Sequence, residues 1–290
     1  MKEVTIISGK GGTGKTSLVA TFASLAQNHI LCDADVDAAD LHLIMNPKIL
    51  EQYDFTGGRQ AIVDHDKCTD CGLCRQYCRW EAIAESYTVD SILCEGCGVC
   101  VYFCPEKAID FPIKTCGEYY ISETRLCPMV HARLGIAEEN SGKLVTQVRK
   151  TARDLAEKKG MGLIITDGPP GIGCPVIASI GGSSAVLVVA EPTVSGIHDM
   201  DRVLDLAAHF GVPAALCINK YDLNVAISEK VREYAEKKSI GFMGAIPFDP
   251  AFIHAMVHAK TLLEYDSNSP AAKSAIELWR NFLQFVDNGY

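Results

Sequence analysis

The sequence predicts an α/β fold: a doubly wound, mostly parallel sheet, interrupted by a small α+β insert. Three observations carry that expectation. Short buried-strand runs alternate with amphipathic helical stretches along most of the chain, which implies parallel strands covered by helices on both faces. Gly-rich or acidic turns follow the strands, at the strand ends where open α/β sheets bind ligands. Two matching cysteine runs break the alternation once, between about Gly57 and Thr115.

The strand runs are Val4–Ile7, Ile30–Cys32, Leu163–Thr166, Ala185–Ala190 and Ala214–Ile218. The helical stretches are Lys15–Ala26, Gly142–Lys159, His198–Phe210 and Ser228–Lys238. A chain of 290 residues with 48% hydrophobic content can bury a full core and a smaller second one. The expected division is residues 1–57 and 116–290 for the α/β domain, with 58–115 inserted and Gly57-Gly58 as the hinge into the insert. The net charge of -9 argues against nucleic acid as a partner, since phosphate neutralisation needs a basic surface. Residues 1–8 run straight into a strand pattern, so no signal peptide is expected. No apolar run approaches the about 18 residues of a membrane helix, so no integral membrane segment is expected. The stretch Ala271–Val286 is amphipathic, but its basic residues are only Lys273 and Arg280, so it is expected to pack on its own domain rather than on a membrane. Thirteen cysteines without an export signal imply thiols kept reduced in the cytoplasm.

After the first strand comes Gly9-Lys10-Gly11-Gly12-Thr13-Gly14-Lys15-Thr16, then Ser17, at the start of a helix. This is the G-x-x-x-x-G-K-[ST] phosphate loop. Its glycines let backbone N–H groups close on phosphate oxygens. Lys15 reaches the β- and γ-phosphates in such a loop, and Thr16 ligates Mg²⁺. The same residues satisfy G-x-G-x-x-G, with Asp33 and Asp35 further on, as a NAD site would have. Lys15-Thr16 decides for a mononucleotide. Asp33-Ala-Asp35-Val-Asp37 follows the second strand, where carboxylates bind Mg²⁺ or orient the attacking water. Asp37 and Asp40 read as solvated or capping residues. Leu163–Thr166 ends in Asp167-Gly168-Pro-Pro-Gly171, an acid for Mg²⁺ with glycines that let the loop move. Asn219-Lys220-Tyr221-Asp222 matches the N-K-x-D guanine signature, which makes GTP the rival of ATP.

Cys68, Cys71, Cys74 and Cys78 form C-x2-C-x2-C-x3-C, and Cys94, Cys97, Cys100 and Cys104 repeat it, with Pro105 next. The alignment also pairs Ala82-Ile83 with Ala108-Ile109. This is the ligand spacing of a bacterial-type ferredoxin holding two 4Fe–4S clusters, in which the last cysteine of each run serves the other cluster. That rule gives Cys68, Cys71, Cys74 and Cys104 to one cluster and Cys94, Cys97, Cys100 and Cys78 to the other. Structural zinc is the competing use of cysteines, but its sites lack this spacing. Arg79 stands where the pattern has proline, which bears on potential rather than ligation. Cys32 and Cys217 read as core residues, and Cys116, Cys127 and Cys174 as buried or incidental thiols, with a third metal site as the rival.

Taken together, the chain resembles the MinD/ParA/Mrp class of P-loop NTPases, which includes the nitrogenase iron protein, with an inserted ferredoxin domain. The resemblance rests on Lys10 and Lys15, Asp35, both cysteine runs, Ser122-Glu-Thr, Glu139-Asn-Ser-Gly-Lys143, Asp167–Gly171, Glu191–Asp199 and Asn219–Asp222. It implies an ATPase that binds ATP and ADP and works as a homodimer, with Lys10 reaching the partner's nucleotide. It implies Asp35 in switch I and Asp167 in switch II. It also implies Asn219 and Lys220 with Pro247 and Asp249 around adenine. The Mrp branch uses a C-x-x-C pair for a bridging cluster, and none lies outside the insert. Nucleotide-gated electron transfer to a redox partner is the expected function. The rivals are an iron–sulfur carrier serving a client protein and a positioning or scaffold ATPase.

Overall fold

The computed structural model describes residues 1–135 and 141–288. Within the motif Glu139–Lys143, Glu139 and Asn140 therefore lie outside the described residues. In chain order the elements are β1 (Lys2–Ser8), α1 (Lys15–Leu25), β2 (His29–Asp33), α2 (Leu41–Met45), β3 (Lys48–Arg59) and β4 (Ile62–Val63). Then come α3 (Leu73–Tyr77), α4 (Val99–Phe103), β5 (Ile109–Asp110), β6 (Ile113–Glu123), β7 (Pro128–Leu134) and α5 (Ser141–Lys159). The rest are β8 (Leu163–Pro170), α6 (Cys174–Ile180), β9 (Ala185–Ala190), α7 (Val194–His209), β10 (Ala214–Asn219), α8 (Val225–Lys237), β11 (Gly241–Ile246), α9 (Ala251–Val257), α10 (Leu262–Asp266) and α11 (Pro270–Asn288).

A nine-stranded sheet runs in the order β11-β10-β9-β1-β8-β2-β7-β6-β3. The strands from β11 through β7 pair in parallel. Parallel strands are covered on both faces, and β1, β2, β8, β9 and β10 are accordingly near-continuous apolar runs. One face packs on α1, α10 and α11, the other on α6, α7 and α8. Helix α11 buries Leu278, Trp279, Phe282 and Val286, and Trp279 stacks on Phe22 of α1 with ring centroids 4.8 Å apart. Each such side chain contributes about 1.5–3 kcal/mol of burial free energy. The amphipathic C-terminal stretch thus packs on its own domain. No helix among the described residues is long and apolar enough to cross a membrane.

The chain divides into two compact units. The first comprises Met1–Gln52, Tyr119–Arg133 and Ser141–Tyr290; the second comprises Tyr53–Glu118 and the stretch that begins at Leu134. Gly57 and Gly58 lie inside the continuous strand β3, so they form no hinge. Strand pairing satisfies their backbone and overrides the turn tendency of two glycines. Strands β3, β6 and β7 are not legible as apolar runs because β3 is exposed along most of its length and β6 is half-buried.

The second unit shows its sequence repeat in three dimensions. Gly72 and Gly98, both left-handed, start the matching helices α3 and α4. Cys74 and Cys100 are the buried cysteines of those helices. The Ala82 N–H donates to Cys78 Sγ at 3.4 Å and the Ala108 N–H to Cys104 Sγ at 3.2 Å. Tyr77 and Phe103, again equivalent positions, stack with centroids 4.1 Å apart. Strands β4 and β5 pair antiparallel, and Ile83 bridges Val89 in the same sense.

Candidate functional site

The parallel strands β1, β2, β8, β9 and β10 deliver Ser8, Asp33, Asp167, Glu191 and Asn219 to one edge of the sheet. Register fixes the acids: Asp33 and Ile6 both stand opposite Asp167. Between β1 and α1 the phosphate loop turns at Gly14, whose φ of 84° is left-handed. A Cβ there would meet Asn219 Nδ2 at 2.5 Å, so only glycine lets the loop sit against β10. The amide of Asn219 closes that contact by donating to the Thr13 carbonyl at 2.7 Å. Lys220 is itself left-handed, and its Nζ donates to the Gly12 carbonyl at 3.0 Å. The Asn-Lys pair after β10 therefore braces the loop from below.

Lys15 is buried at the start of α1 among three carboxylates. Its Nζ lies 2.5 Å from Asp167 Oδ1 and 3.5 Å from Asp35 Oδ2. Burial disfavours the ammonium, but Asp167 and Asp35 outweigh it and hold the Lys15 pKa above its ordinary value. Burial raises Asp35 to about 6 against the opposing pull of Lys15. Burial, then the charge of Asp167, pushes Asp33 well above the usual carboxylate range. The second oxygens of Asp33 and Asp167 are buried without a hydrogen-bond partner. When ionised, such atoms accept only, and a divalent cation is one group that satisfies them. The donor set therefore fits Mg²⁺, with Thr16 half-buried in the first turn of α1 beside it. Asp37 and Asp40 are exposed, and Asp40 takes the N-cap position of α2 without a side-chain cap bond.

The two glycines after Asp167 stand in different surroundings. A Cβ on Gly168 would meet Ile7 Cγ2 at 2.5 Å, so Gly168 lets β8 pack closely on β1. Gly171, with φ +91° and open space around it, carries the turn.

Beside the loop is a cavity of about 230 Å³, lined by Gly12, Gly14, Asn219, Pro247, Phe248 and Ile253 among others. It is a mainly apolar slot with Ser17, Asn219 and Lys220 at its polar wall, suited to a purine base. Asp249 also lines it, yet its oxygens accept from the Ala251 N–H at 2.9 Å and the Ala271 N–H at 3.4 Å. Its carboxylate thus braces the starts of α9 and α11 from the wall of the slot. Asp222 stands outside the lining, and its Oδ1 accepts from the Phe248 N–H at 2.6 Å. A guanine reader needs that carboxylate for the base. Its commitment to the backbone therefore favours adenine.

Lys10 does not join the Lys15 cluster. Its Nζ lies 3.0 Å from Glu191 Oε2 and 3.2 Å from Thr193 Oγ1. Glu191 is the residue of this site that sequence reasoning left without a role. The acid after β9, within a motif already singled out, was the signal.

In the second unit, Cys68, Cys71, Cys74 and Cys104 line one cavity. Cys78, Cys94, Cys97 and Cys100 line another. The last cysteine of each run thus sits with the first three of the other. Among the described residues no three His, Cys, Asp or Glu side chains converge on a single-ion position. Burial raises the Cys100 thiol to about 11 and moves Cys74 in the same direction. Thiolates there need positive charge near the sulfur. Of the remaining cysteines, Cys32, Cys116, Cys127 and Cys217 are buried and Cys174 is exposed.

A phosphate loop before α1, acids on β2 and β8, and a base slot beside β10 define a P-loop ATPase of doubly wound α/β fold. The CobQ/CobB/MinD/ParA nucleotide-binding domain matches residues 4–262, and the chain belongs to that family. It is 32% identical over 290 residues to an uncharacterised protein of Methanocaldococcus jannaschii, covering 98% of this chain and 97% of that one. An uncharacterised ATP-binding protein of the same organism is 24% identical over 281 residues, covering 95% and 85%. Among solved structures, the septum site-determining protein MinD from Pyrococcus horikoshii, complexed with Mg-ADP, superposes with a TM-score of 0.62 at 15% identity. That likeness covers 100% of this chain and 98% of the other.

Proposed function

We propose that this ATPase is a MinD/ParA-type nucleotide switch whose second unit carries two 4Fe–4S clusters and delivers electrons to a protein partner. The nucleotide half rests on the family. Lys15 would hold the β- and γ-phosphates, and Asp33, Asp167 and Thr16 would hold Mg²⁺. Asp35 would orient the attacking water, and Asn219 with Pro247 would hold adenine beside the brace from Lys220. Lys10, by resemblance to its class, would reach the nucleotide of a second copy. The redox half rests on one observation, the crossed grouping of eight cysteines around two cavities. When bound, the clusters would supply one-electron transfer, and their cysteines would fix their place and exposure.

The comparisons support a second reading at least as well: a positioning or scaffold ATPase of the MinD/ParA type. Relatives from Mesostigma viride, Oltmannsiellopsis viridis and Chlorella vulgaris carry the name putative septum site-determining protein MinD, at 23–25% identity. One set of measurements separates the readings. Protein purified without oxygen should hold about eight irons per chain. Its cluster potentials are then measured with and without a non-hydrolysed ATP analogue. A nucleotide-dependent shift marks gated electron transfer. Cluster loss to an apo-ferredoxin in the same samples marks a carrier. Iron-free protein with full nucleotide-dependent self-association would sink the redox reading and leave the scaffold one.

A further inference from the structure

Glu191 stands just past β9, and its two oxygens hold two different lysines of the nucleotide site. Oε2 takes Lys10 at 3.0 Å and Oε1 takes Lys220 at 2.5 Å. Lys220 in turn donates to the Gly12 carbonyl, so a chain of contacts runs Lys10, Glu191, Lys220, Gly12 around the phosphate loop. The Glu191 side chain is only 14% exposed, whereas Lys10 is 31% and Lys220 28% exposed. Its backbone is fixed as well. Thr193 caps α7 by accepting from the Gly196 N–H at 3.0 Å, and a Cβ on Gly196 would meet the Glu191 carbonyl at 2.5 Å. The carboxylate is thus a rigid partner and Lys10 the movable one. The two lysines hold Glu191 below its ordinary pKa against the effect of its burial, so it stays charged at neutral pH.

We infer that Glu191 is a positioning residue that parks Lys10 within its own subunit, so that Lys10 must leave Glu191 before it can serve a second copy. This rests on the reading of Lys10 given above. Parking opposes self-association, because the Lys10–Glu191 and Lys10–Thr193 contacts break when Lys10 turns outward. Lys220 takes over the whole carboxylate when Lys10 leaves, which ties release of one lysine to a firmer brace on the phosphate loop.

The test uses the full chain with a non-hydrolysed ATP analogue and reads self-association by analytical ultracentrifugation. Glu191→Gln keeps the size and a polar contact to Lys220 but removes the charge. Self-association should tighten by about two- to fivefold, the scale of a part-exposed ion pair. The gain should vanish in the Lys10→Ala/Glu191→Gln double variant. In nucleotide-free protein, limited acetylation read by peptide mass spectrometry should label Lys10 faster in Glu191→Gln than in the parent. Unchanged or weaker self-association, a gain that persists without Lys10, or unchanged Lys10 labelling would each overturn the parking role. If Lys10→Ala alone weakens self-association while Glu191→Gln does nothing, parking fails and the reading of Lys10 stands. If Lys10→Ala alone has no effect, both fail.

Discussion

The two units of this protein hold their sites by opposite means. The nucleotide unit has a deep apolar core on both faces of its sheet, and its site is an edge effect of that core. Strand register sets Asp33 beside Asp167, and the turns after β1 and β2 bring Lys15 and Asp35 to the same strand ends. Among the described residues the cysteine unit has a small buried cluster of Ala61, Val63, Cys74, Ile83, Cys100 and Ile109, with further cysteines packed against it. There the proposed cluster ligands are themselves part of the core. On that proposal, metal binding free energy becomes folding free energy. In one unit the fold makes the site, and in the other, on the same proposal, the ligands of the site would make the fold.

On the proposed two-cluster reading, the comparison is most directly broken by removing iron. Chelation under reducing conditions should unfold the cysteine unit and leave the nucleotide unit folded. The chain offers one tryptophan in each, Trp80 and Trp279. In single-tryptophan variants, Trp80 emission should change outright on chelation while Trp279 emission and ADP binding persist. Trp279 moving together with Trp80 would end the contrast.

Next in size is Lys15→Ala. It removes the cation from a buried cluster of Asp33, Asp35 and Asp167, so nucleotide binding should be lost. Stability of the nucleotide unit should also fall by about 3 kcal/mol, the cost of leaving a buried charge unpaired. Denaturant midpoints followed through Trp279 measure it, and a variant that still binds ADP at full affinity would remove Lys15 from the site.

Acid provides a third probe. Burial lowers His29 and His131 to about 4 in the folded nucleotide unit, from the ordinary 6.5. The folded state therefore prefers them neutral. Their contribution is fully present above pH 6.5 and is lost as pH falls from there through 4, by at most about 3 kcal/mol each. A stability profile of His131→Phe flatter than that of the parent below pH 6.5 would confirm the cause, and an identical profile would exclude it.

The smallest expected effect sharpens the base slot. Asp222→Asn should lower stability by about 1 kcal/mol through a weaker cap on the Phe248 N–H, while preference for ATP over GTP stays unchanged. A collapse of nucleotide selectivity would make Asp222 a base reader after all.

Legibility in the sequence followed local chemistry. The phosphate loop, Asp167 and Asn219 stand at the ends of apolar runs, and the turn residues after those runs are short-range features. The strands β3, β6 and β7 escaped because they are exposed, half-buried or broken by polar residues, so no period stands out. Gly57 and Gly58 suggested a hinge because glycine favours turns in isolation, yet pairing holds them in β3. Asp249 lines the slot as the sequence expected, but its oxygens cap α9 and α11, a use fixed by elements 2 and 22 residues further along the chain.

By itself the sequence determined the parallel α/β scaffold, the phosphate loop and the spacing of the cysteine runs, because strand periodicity, turn chemistry and ligand spacing act over a few residues. The tertiary structure alone decided which cysteines share a cavity, that Asp222 faces the backbone, and that Lys10 pairs with Glu191. Those outcomes depend on where separate strand ends meet, and no local pattern encodes a meeting between residues 181 positions apart such as Lys10 and Glu191.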